Sequence, residues 1–168
     1  MPEGDTILRA ARALGASLRG KRVVSFESSL PRLAEAGLAG RRVETVEARG
    51  KNLLVHFDDG RALRTHMRMT GSWHLYRPNE KWKKPARLAR VVLSTADAVA
   101  VCFNAPVVEL LTSRQLARHE SLRRLGPDVL AEAFDPSEAV GRIAARGDRP
   151  IGETLLFQSA LAGIGIIY

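Results

Sequence analysis

Apolar residues along this chain recur first at helical, then at alternating, then again at helical intervals. That double switch limits the fold to a helix, a block of strands and a helical remainder. After Asp5, a natural N-cap, Ile7, Leu8, Ala11, Leu14 and Leu18 fall three and four residues apart, predicting an amphipathic helix over 6–18 closed near Gly20. From Val23 the runs are short and alternating: Val23 to Phe26, Val43 to Val46, Leu53 to Phe57, Ala62 to His66 and Ser72 to Tyr76. Gly50, Asp58-Asp59-Gly60 and Gly71 part them. A further pair, Arg90 to Ser94 and Val99 to Phe103, turns around Thr95-Ala96-Asp97. Hairpins of this kind predict an antiparallel β-sandwich or barrel with one leading helix. Arg77 to Arg87, with Lys81, Trp82, Lys83, Lys84 and two prolines, reads as a mobile basic loop.

Near residue 112 the helical period returns. Thr112 and Gln115 are spaced as a capping box, and Asp135-Pro136-Ser137-Glu138 is a better one. Gly126-Pro127 ends the first helical segment and Gly147-Asp148-Arg149-Pro150 the second. Ile151 to Ala162 is expected as a third, strongly apolar helix ending at Gly163. The fold class read from the pattern is α+β, with a β-sandwich or barrel domain over 1–111 and an all-α domain over 112–168. The final Ala162-Gly163-Ile164-Gly165-Ile166-Ile167-Tyr168 reads as a buried apolar turn to which a further element belongs.

At 168 residues the chain has room for a real core, and its 45% apolar and 26% charged residues are a globular balance. No apolar stretch approaches the ~18 to 20 residues that span a bilayer. Glu3 and Asp5 stand where a secretory signal carries positive charge, so a cytoplasmic protein with no membrane partner is expected. A lone cysteine, Cys102, provides neither a disulfide nor a Cys-based zinc site. The 26 Lys and Arg against 18 Asp and Glu leave a formal charge of +8. Such an excess points to a polyanion, nucleic acid above all, because phosphate contacts gain affinity from counterion release. An Arg-rich composition alone would give the same charge.

Three places carry residues suited to chemistry. Initiator methionine is normally removed before a small residue, so Met1-Pro2 yields a chain starting with a secondary amine. An α-amino group has a reference pKa near ~7.7 to 8.0, so part of it is unprotonated at neutral pH and able to attack a sugar aldehyde carbon. Glu3 follows as a general acid or base; an ordinary loose terminus is the alternative. Lys51, in Arg49-Gly50-Lys51-Asn52, sits at a hairpin tip and is expected to project into solvent. In Thr65-His66-Met67-Arg68-Met69-Thr70-Gly71, a methionine beside Arg68 can enter a base stack, or serve as core. His66 is expected to orient this hairpin. Cys102, Trp73 and Trp82 are expected to be structural, with base stacking a second option for Trp82.

The segments MPEGDTILRAARAL, ETVEARGKNLLVHFDDG, LRTHMRMTGSW, HESLRRLGPDVL and LAGIG, in this order, resemble the formamidopyrimidine-DNA glycosylase and endonuclease VIII family. The MPEGD opening is similar to the endonuclease VIII branch, particularly its actinobacterial members. The resemblance implies a β-sandwich with its leading helix, then a helix-two-turn-helix DNA-binding domain over 112–168, here truncated. It implies a bifunctional base-excision enzyme acting as a monomer on double-stranded DNA with oxidised bases, pyrimidines by branch, or abasic sites. In that scheme Pro2 attacks C1′, Glu3 gives acid-base help, and Lys51 contacts DNA and assists. Arg68, Met69 and Thr70 fill the void left by the extruded base, and Gly163 and Gly165 belong to the DNA-binding turn. β- and then δ-elimination follow. The chain departs from the family pattern at Thr6, usually Glu, at Phe157, usually Asp, and at Ile166, usually a phosphate-binding Asn. The family's C-terminal zinc finger has no counterpart, so no cofactor is expected. A non-catalytic module binding damaged DNA or abasic sites is the alternative, and a basic RNA-binding sandwich a third.

Overall fold

A computed structural model of the chain describes residues 2–166. Helix α1 spans Gly4–Leu18 and buries Ile7, Ala11, Leu14 and Leu18 along one stripe. It begins one residue before the expected cap: Glu3, not Asp5, is the N-cap, and its side chain makes no capping bond. The first helical N–H, that of Gly4, instead donates to the Gly163 carbonyl at 3.0 Å, so a distant loop satisfies what a local side chain ordinarily would. Asp5 lies in the first turn, where its charge suits the helix dipole, and pairs with Arg9 one turn on.

Eight strands follow: β1 Ser25–Ser28, β2 Val43–Arg49, β3 Asn52–Phe57, β4 Ala62–His66, β5 Ser72–Tyr76, β6 Ala89–Ser94, β7 Val99–Phe103 and β8 Val107–Leu111. They form two four-stranded antiparallel sheets, ordered β1-β6-β7-β5 and β2-β3-β4-β8. A sandwich is therefore formed, and the barrel alternative falls away. Leu53, Val55, Phe57 and Leu63 from one sheet meet Val91, Leu93, Ala100 and Cys102 from the other, and α1 adds its apolar stripe to the same core. Strand β8 had no counterpart in the reading of the sequence. Its Val-Val-Glu-Leu-Leu run does not alternate, and pairing with β4, Ala62 opposite Leu111, makes it a strand. The 77–88 segment is a loop as expected but not a free one. Trp82 stacks on Tyr76, and the Lys83 N–H donates to the Tyr76 hydroxyl.

The chain then turns helical in short pieces: α2 Ser113–Arg118, α3 Glu120–Arg123, α4 Pro136–Ala144 and α5 Ile151–Leu156. The Thr112–Gln115 capping box forms in both directions. At Asp135 only half of the expected box forms. Asp135 accepts from the Ser137 and Glu138 amides, while the Glu138 carboxylate turns to Arg142. Helix α5 stops at Leu156, six residues short of the Ala162 expected, because the Gln158 side chain binds the following loop. Its amide donates to the Ile164 carbonyl at 2.7 Å and accepts from Gly163 N at 3.0 Å, which folds residues 157–165 back on themselves. Ile166 is 66% exposed, so the closing apolar turn is buried only through Gly163. Ile167 and Tyr168 lie outside the described residues.

Leu63 is wholly buried between the sheets. Leu63→Ala is expected to lower the unfolding free energy by about 2 to 5 kcal/mol, against about 1 kcal/mol for Thr112→Ala. Urea midpoints measure both, and a core loss no larger than the cap loss would contradict this placement.

Candidate active site

Gly50 and Lys51 form the two-residue turn between β2 and β3, with Arg49 facing Asn52. Gly50 takes φ +59°, the mirror-image turn conformation that a side chain disfavours. Its N–H donates to Asp128 Oδ2 at 2.6 Å, and Leu125 and Ala162 pack over it. The expectation of a solvated lysine is therefore overturned. Lys51 is only 8% exposed, because the helical segment covers the hairpin tip, and its Nζ lies 2.8 Å from Glu3 Oε2. Glu3 is itself 6% exposed. Neither carboxylate oxygen has a well-aligned hydrogen bond among the described residues, so the ammonium is its counter-charge and lone pairs stay open to an incoming donor. Pro2, half-buried, immediately precedes this pair. Met1, whose removal the sequence leads one to expect, lies outside the described residues.

Gly163 and Gly165 stand on the other side of Glu3. A methyl group on Gly165 would overlap Glu3 Oε2, and one on Gly4 would lie 2.6 Å from the Gly163 carbonyl oxygen. In this structure both glycines of the Leu161–Gly165 loop are packing positions against the chain's start.

The Met67–Gly71 turn separates the two methionines that the sequence could not tell apart. Met67 is buried in the core, while Met69 is 71% exposed at the turn's tip. Arg68 holds the left-handed region at φ +45°, its N–H 3.3 Å from His66 Nδ1, and Thr70 Oγ1 donates to the Asn104 carbonyl. His66 is pushed down to about 4 by burial, with the charges of Arg64, Arg68 and Lys51 acting the same way. It is neutral at physiological pH, as an acceptor of the Arg68 N–H must be. Cys102 is sealed in the core, where burial pushes its thiol up to about 12, so it offers no nucleophile.

A cleft of about 270 Å³ runs from Lys51 to Arg68 of this turn, lined also by Asn52, Arg64, His66 and Gln158. Arg64 is its buried floor. It donates to Asn52 Oδ1 at 3.0 Å and to Glu109 Oε2 at 2.8 Å, and His119 Nε2 reaches the same carboxylate at 3.0 Å. Burial raises the Glu109 carboxyl, but the bonds and charges of Arg64 and His119 more than offset it and hold the group below its ordinary value. Asp128, Gln158, Asn52 and the Arg64–Glu109–His119 cluster were not found from the sequence. Asn52, Arg64, His119 and Asp128 stand inside the segments that carry the family resemblance, but no local signal assigned them a role.

A two-sheet sandwich whose N-terminal carboxylate is buried against a hairpin lysine, under a helical segment and beside a basic cleft, is a distinct class of protein. The model of the formamidopyrimidine-DNA glycosylase N-terminal domain matches residues 1–107. A relative from Streptomyces coelicolor, named Probable endonuclease 8 2, is 41% identical across 100% of this chain and 60% of its own length. Endonuclease 8 of Salmonella typhi is 38% identical over 98% of this chain and 64% of its own. Among solved structures, a complex of Lactococcus lactis Fpg with DNA containing an abasic site superposes with a TM-score of 0.77 at 25% identity. It covers 100% of this chain and 63% of that one. A complex of the same organism's Fpg (MutM) with DNA containing N7-benzyl-Fapy-dG reaches 0.80 at 24% identity, over 99% of this chain and 64% of that one, a likeness in fold. The chain belongs to the formamidopyrimidine-DNA glycosylase family. It spans about three-fifths of the length of the curated relatives it matches.

Two outcomes follow from this geometry. The His66 imidazole resonances should stay unchanged from pH 8 down to near 5 and move only around pH 4; because its folded pKa lies below the unfolded value, the unfolded chain takes up the proton first, and stability is lost as pH drops from about 6.5 to about 4. A midpoint near 6.5 by NMR would place His66 in solvent. Gly165→Ala should destabilise the chain by about 1 to 3 kcal/mol, since the loop must withdraw from Glu3. A variant with an unchanged urea midpoint would refute the close approach.

Proposed function

We propose that the chain is a DNA glycosylase and abasic-site lyase of base-excision repair, acting as a monomer on double-stranded DNA that carries oxidised bases, pyrimidines by preference, or abasic sites. The single observation that supports this most is the buried Glu3–Lys51 pair directly beside Pro2. The family and the basic cleft support it further. A base must leave the stack before its sugar carbon can be attacked, at a cost of roughly a few kcal/mol. The exposed Met69, set between Arg68 and Thr70 on a short turn, is suited to hold that gap open.

With Met1 removed, the Pro2 nitrogen attacks C1′ and the C1′–base bond breaks, its electron pair leaving on the base with a proton. Opening of the sugar ring then gives a cationic iminium between Pro2 and C1′. The Glu3 carboxylate, with unsatisfied lone pairs, is placed to handle protons at the sugar and to offset that charge. The iminium acidifies C2′, loss of that proton expels the 3′-phosphate, and a second elimination expels the 5′-phosphate. Lys51 holds Glu3 and faces the cleft, where a phosphate is its natural ligand. Gly163 and Gly165 act in this scheme by keeping the DNA-binding loop against the reacting end. The domain division at 111/112 separates the chemistry from the helical grip.

Borohydride trapping on abasic-site DNA tests this reading. A covalent adduct that peptide mapping assigns to Pro2 is expected, and Glu3→Gln should slow base release by about 10²- to 10⁴-fold while leaving DNA affinity near normal. An intact fold with free Pro2 and no adduct would reduce the chain to a binding module.

A further inference from the structure

We propose that residues 77–90 form a second phosphate-binding arm, which seats the DNA backbone alongside the Arg68–Thr70 turn and is held in position by Trp82. The inference rests on the DNA reading above and adds to it a contact surface outside the candidate site.

The segment holds Arg77, Lys81, Lys83, Lys84, Arg87 and Arg90 against one acid, Glu80, and includes three of the chain's five lysines. Glu80 is spent within the loop, accepting from Arg77 N at 2.7 Å. The other nearby carboxylate is Glu27 of β1, which shares a groove with Trp82 and Arg90. Among the described residues none of the six cations meets a carboxylate, so the whole run is open to a phosphate, unlike ion-paired Lys21 and Arg61.

The arm is fixed rather than loose. The Trp82 ring stacks on Tyr76 at 6.1 Å and meets the edge of Phe103 at 5.9 Å. Alternation about the half-buried Trp82 leaves Lys81 and Lys83 exposed on the outer side. Lys84 folds inward, its Nζ donating to Ser72 Oγ at 2.8 Å and lying 5.9 Å from the Phe103 ring centre. One residue joins the arm to the base-filling turn: Asn104 N donates to the Leu88 carbonyl, and the Asn104 carbonyl accepts from Thr70 Oγ1. Ser72, two residues beyond Thr70, pairs with Phe103 in register. Lys84 thus meets the start of β5, where the Met69 turn ends, with Lys83 anchored at Tyr76 along the same strand, so a strand gripped at that turn is led over Lys84 toward Lys83 and Lys81. No large apolar side chain is exposed in the segment, which favours a phosphodiester backbone over a lipid surface.

The test is fluorescence-anisotropy titration of the full chain with a duplex carrying a non-cleavable tetrahydrofuran abasic site, across a salt series, with ethylation interference on the same duplex. Lys81→Gln/Lys83→Gln should flatten the log Kd against log salt slope by about 1.8, the loss of two phosphate contacts. Two neighbouring phosphates should vanish from the interference pattern, and unmodified duplex should weaken by the same factor. Arg9→Gln/Lys21→Gln, equal in charge but already paired with acids, should leave the slope unchanged. Trp82→Ala, with every cation retained, should weaken binding roughly threefold to tenfold as the arm loses its order. An unchanged slope and pattern in Lys81→Gln/Lys83→Gln, an equal effect from the Arg9/Lys21 control, or lysine-dependent binding to anionic vesicles alone would overturn the arm. Borohydride trapping of the wild type separates the two readings. Trapping with no lysine effect removes only the arm; lysine-dependent DNA binding without trapping removes only the catalysis.

Discussion

One carboxylate joins the strand block to the helical segment at the point where the candidate site is assembled. Asp128 accepts from Gly50 N through one oxygen and from Leu130 N through the other, so the hairpin tip that carries Lys51 is tied to the first residues after the Gly126-Pro127 break. From there the bonding continues without interruption. Ala162 N donates to Pro127, Gly163 N to the Gln158 side chain, and Gly4 N to Gly163. The start of α1, the β2–β3 turn and the Leu161–Gly165 loop are therefore one hydrogen-bonded unit, though they lie at opposite ends of the chain. The two bonds to the Asp128 carboxylate are charge-assisted, a kind roughly twice as strong as the neutral bonds that complete the unit. Here they also leave no room for side chains at Gly4 and Gly165.

That unit exists to bury an ion pair, and burial of ions does not favour folding. Removing a carboxylate and an ammonium from water costs several kcal/mol each, and their attraction offsets this only when the remaining lone pairs are satisfied. Those of Glu3 are not, among the described residues. The Arg64–Glu109–His119 cluster provides the comparison within the same protein. It too is largely buried, but Arg64 is shared between Asn52 and Glu109, and Glu109 between Arg64 and His119. That cluster, in which the Glu109 carboxylate is bonded and only His119 Nδ1 lacks a partner among the described residues, pins β4 and β8 to the helical junction, while the Glu3–Lys51 pair, with both carboxylate oxygens short of donors, sits beside Pro2. A carboxylate left short of donors is a structural cost and a chemical resource.

The sandwich was legible because its signals are local. Alternation marked seven of the eight strands, and Thr112 with Gln115 marked a helix start by chemistry that four residues contain. The failures lie where distant residues decide. Helix α1 starts at Gly4 because Gly163 accepts its N–H, α5 ends early because Gln158 turns to Ile164, and Lys51 is buried because Asp128 and Leu125 arrive from the helical segment. None of these partners is within reach of a periodicity window. The motifs containing Pro2, Glu3 and Lys51 could be recognised as a set, yet only the fold brings Glu3 and Lys51 within 2.8 Å. Met67 and Met69 show the same limit on a smaller scale. Two residues apart on one turn, they differ only in the direction that Arg68, at positive φ, gives the backbone between them.

The net charge of +8 takes on meaning once its partners are known. Many arginines are committed internally. Arg61 binds Asp59 and the Ala36 and Gly37 carbonyls, Arg142 binds Glu138 and the Ser159 carbonyl, and Arg146 and Arg149 lie against the Phe157 ring. Such groups contribute to the far field but are not free to take a phosphate at short range. Between Arg68 and Arg90, by contrast, seven cations have no carboxylate partner among the described residues. Arg68 borders the cleft that the buried Lys51 and Arg64 line, and the other six cations follow in the segment after β5. On the proposed reading, a polyanion drawn to these charges lies across the Met69 turn, and phosphate contacts of this kind fix position without reading a base.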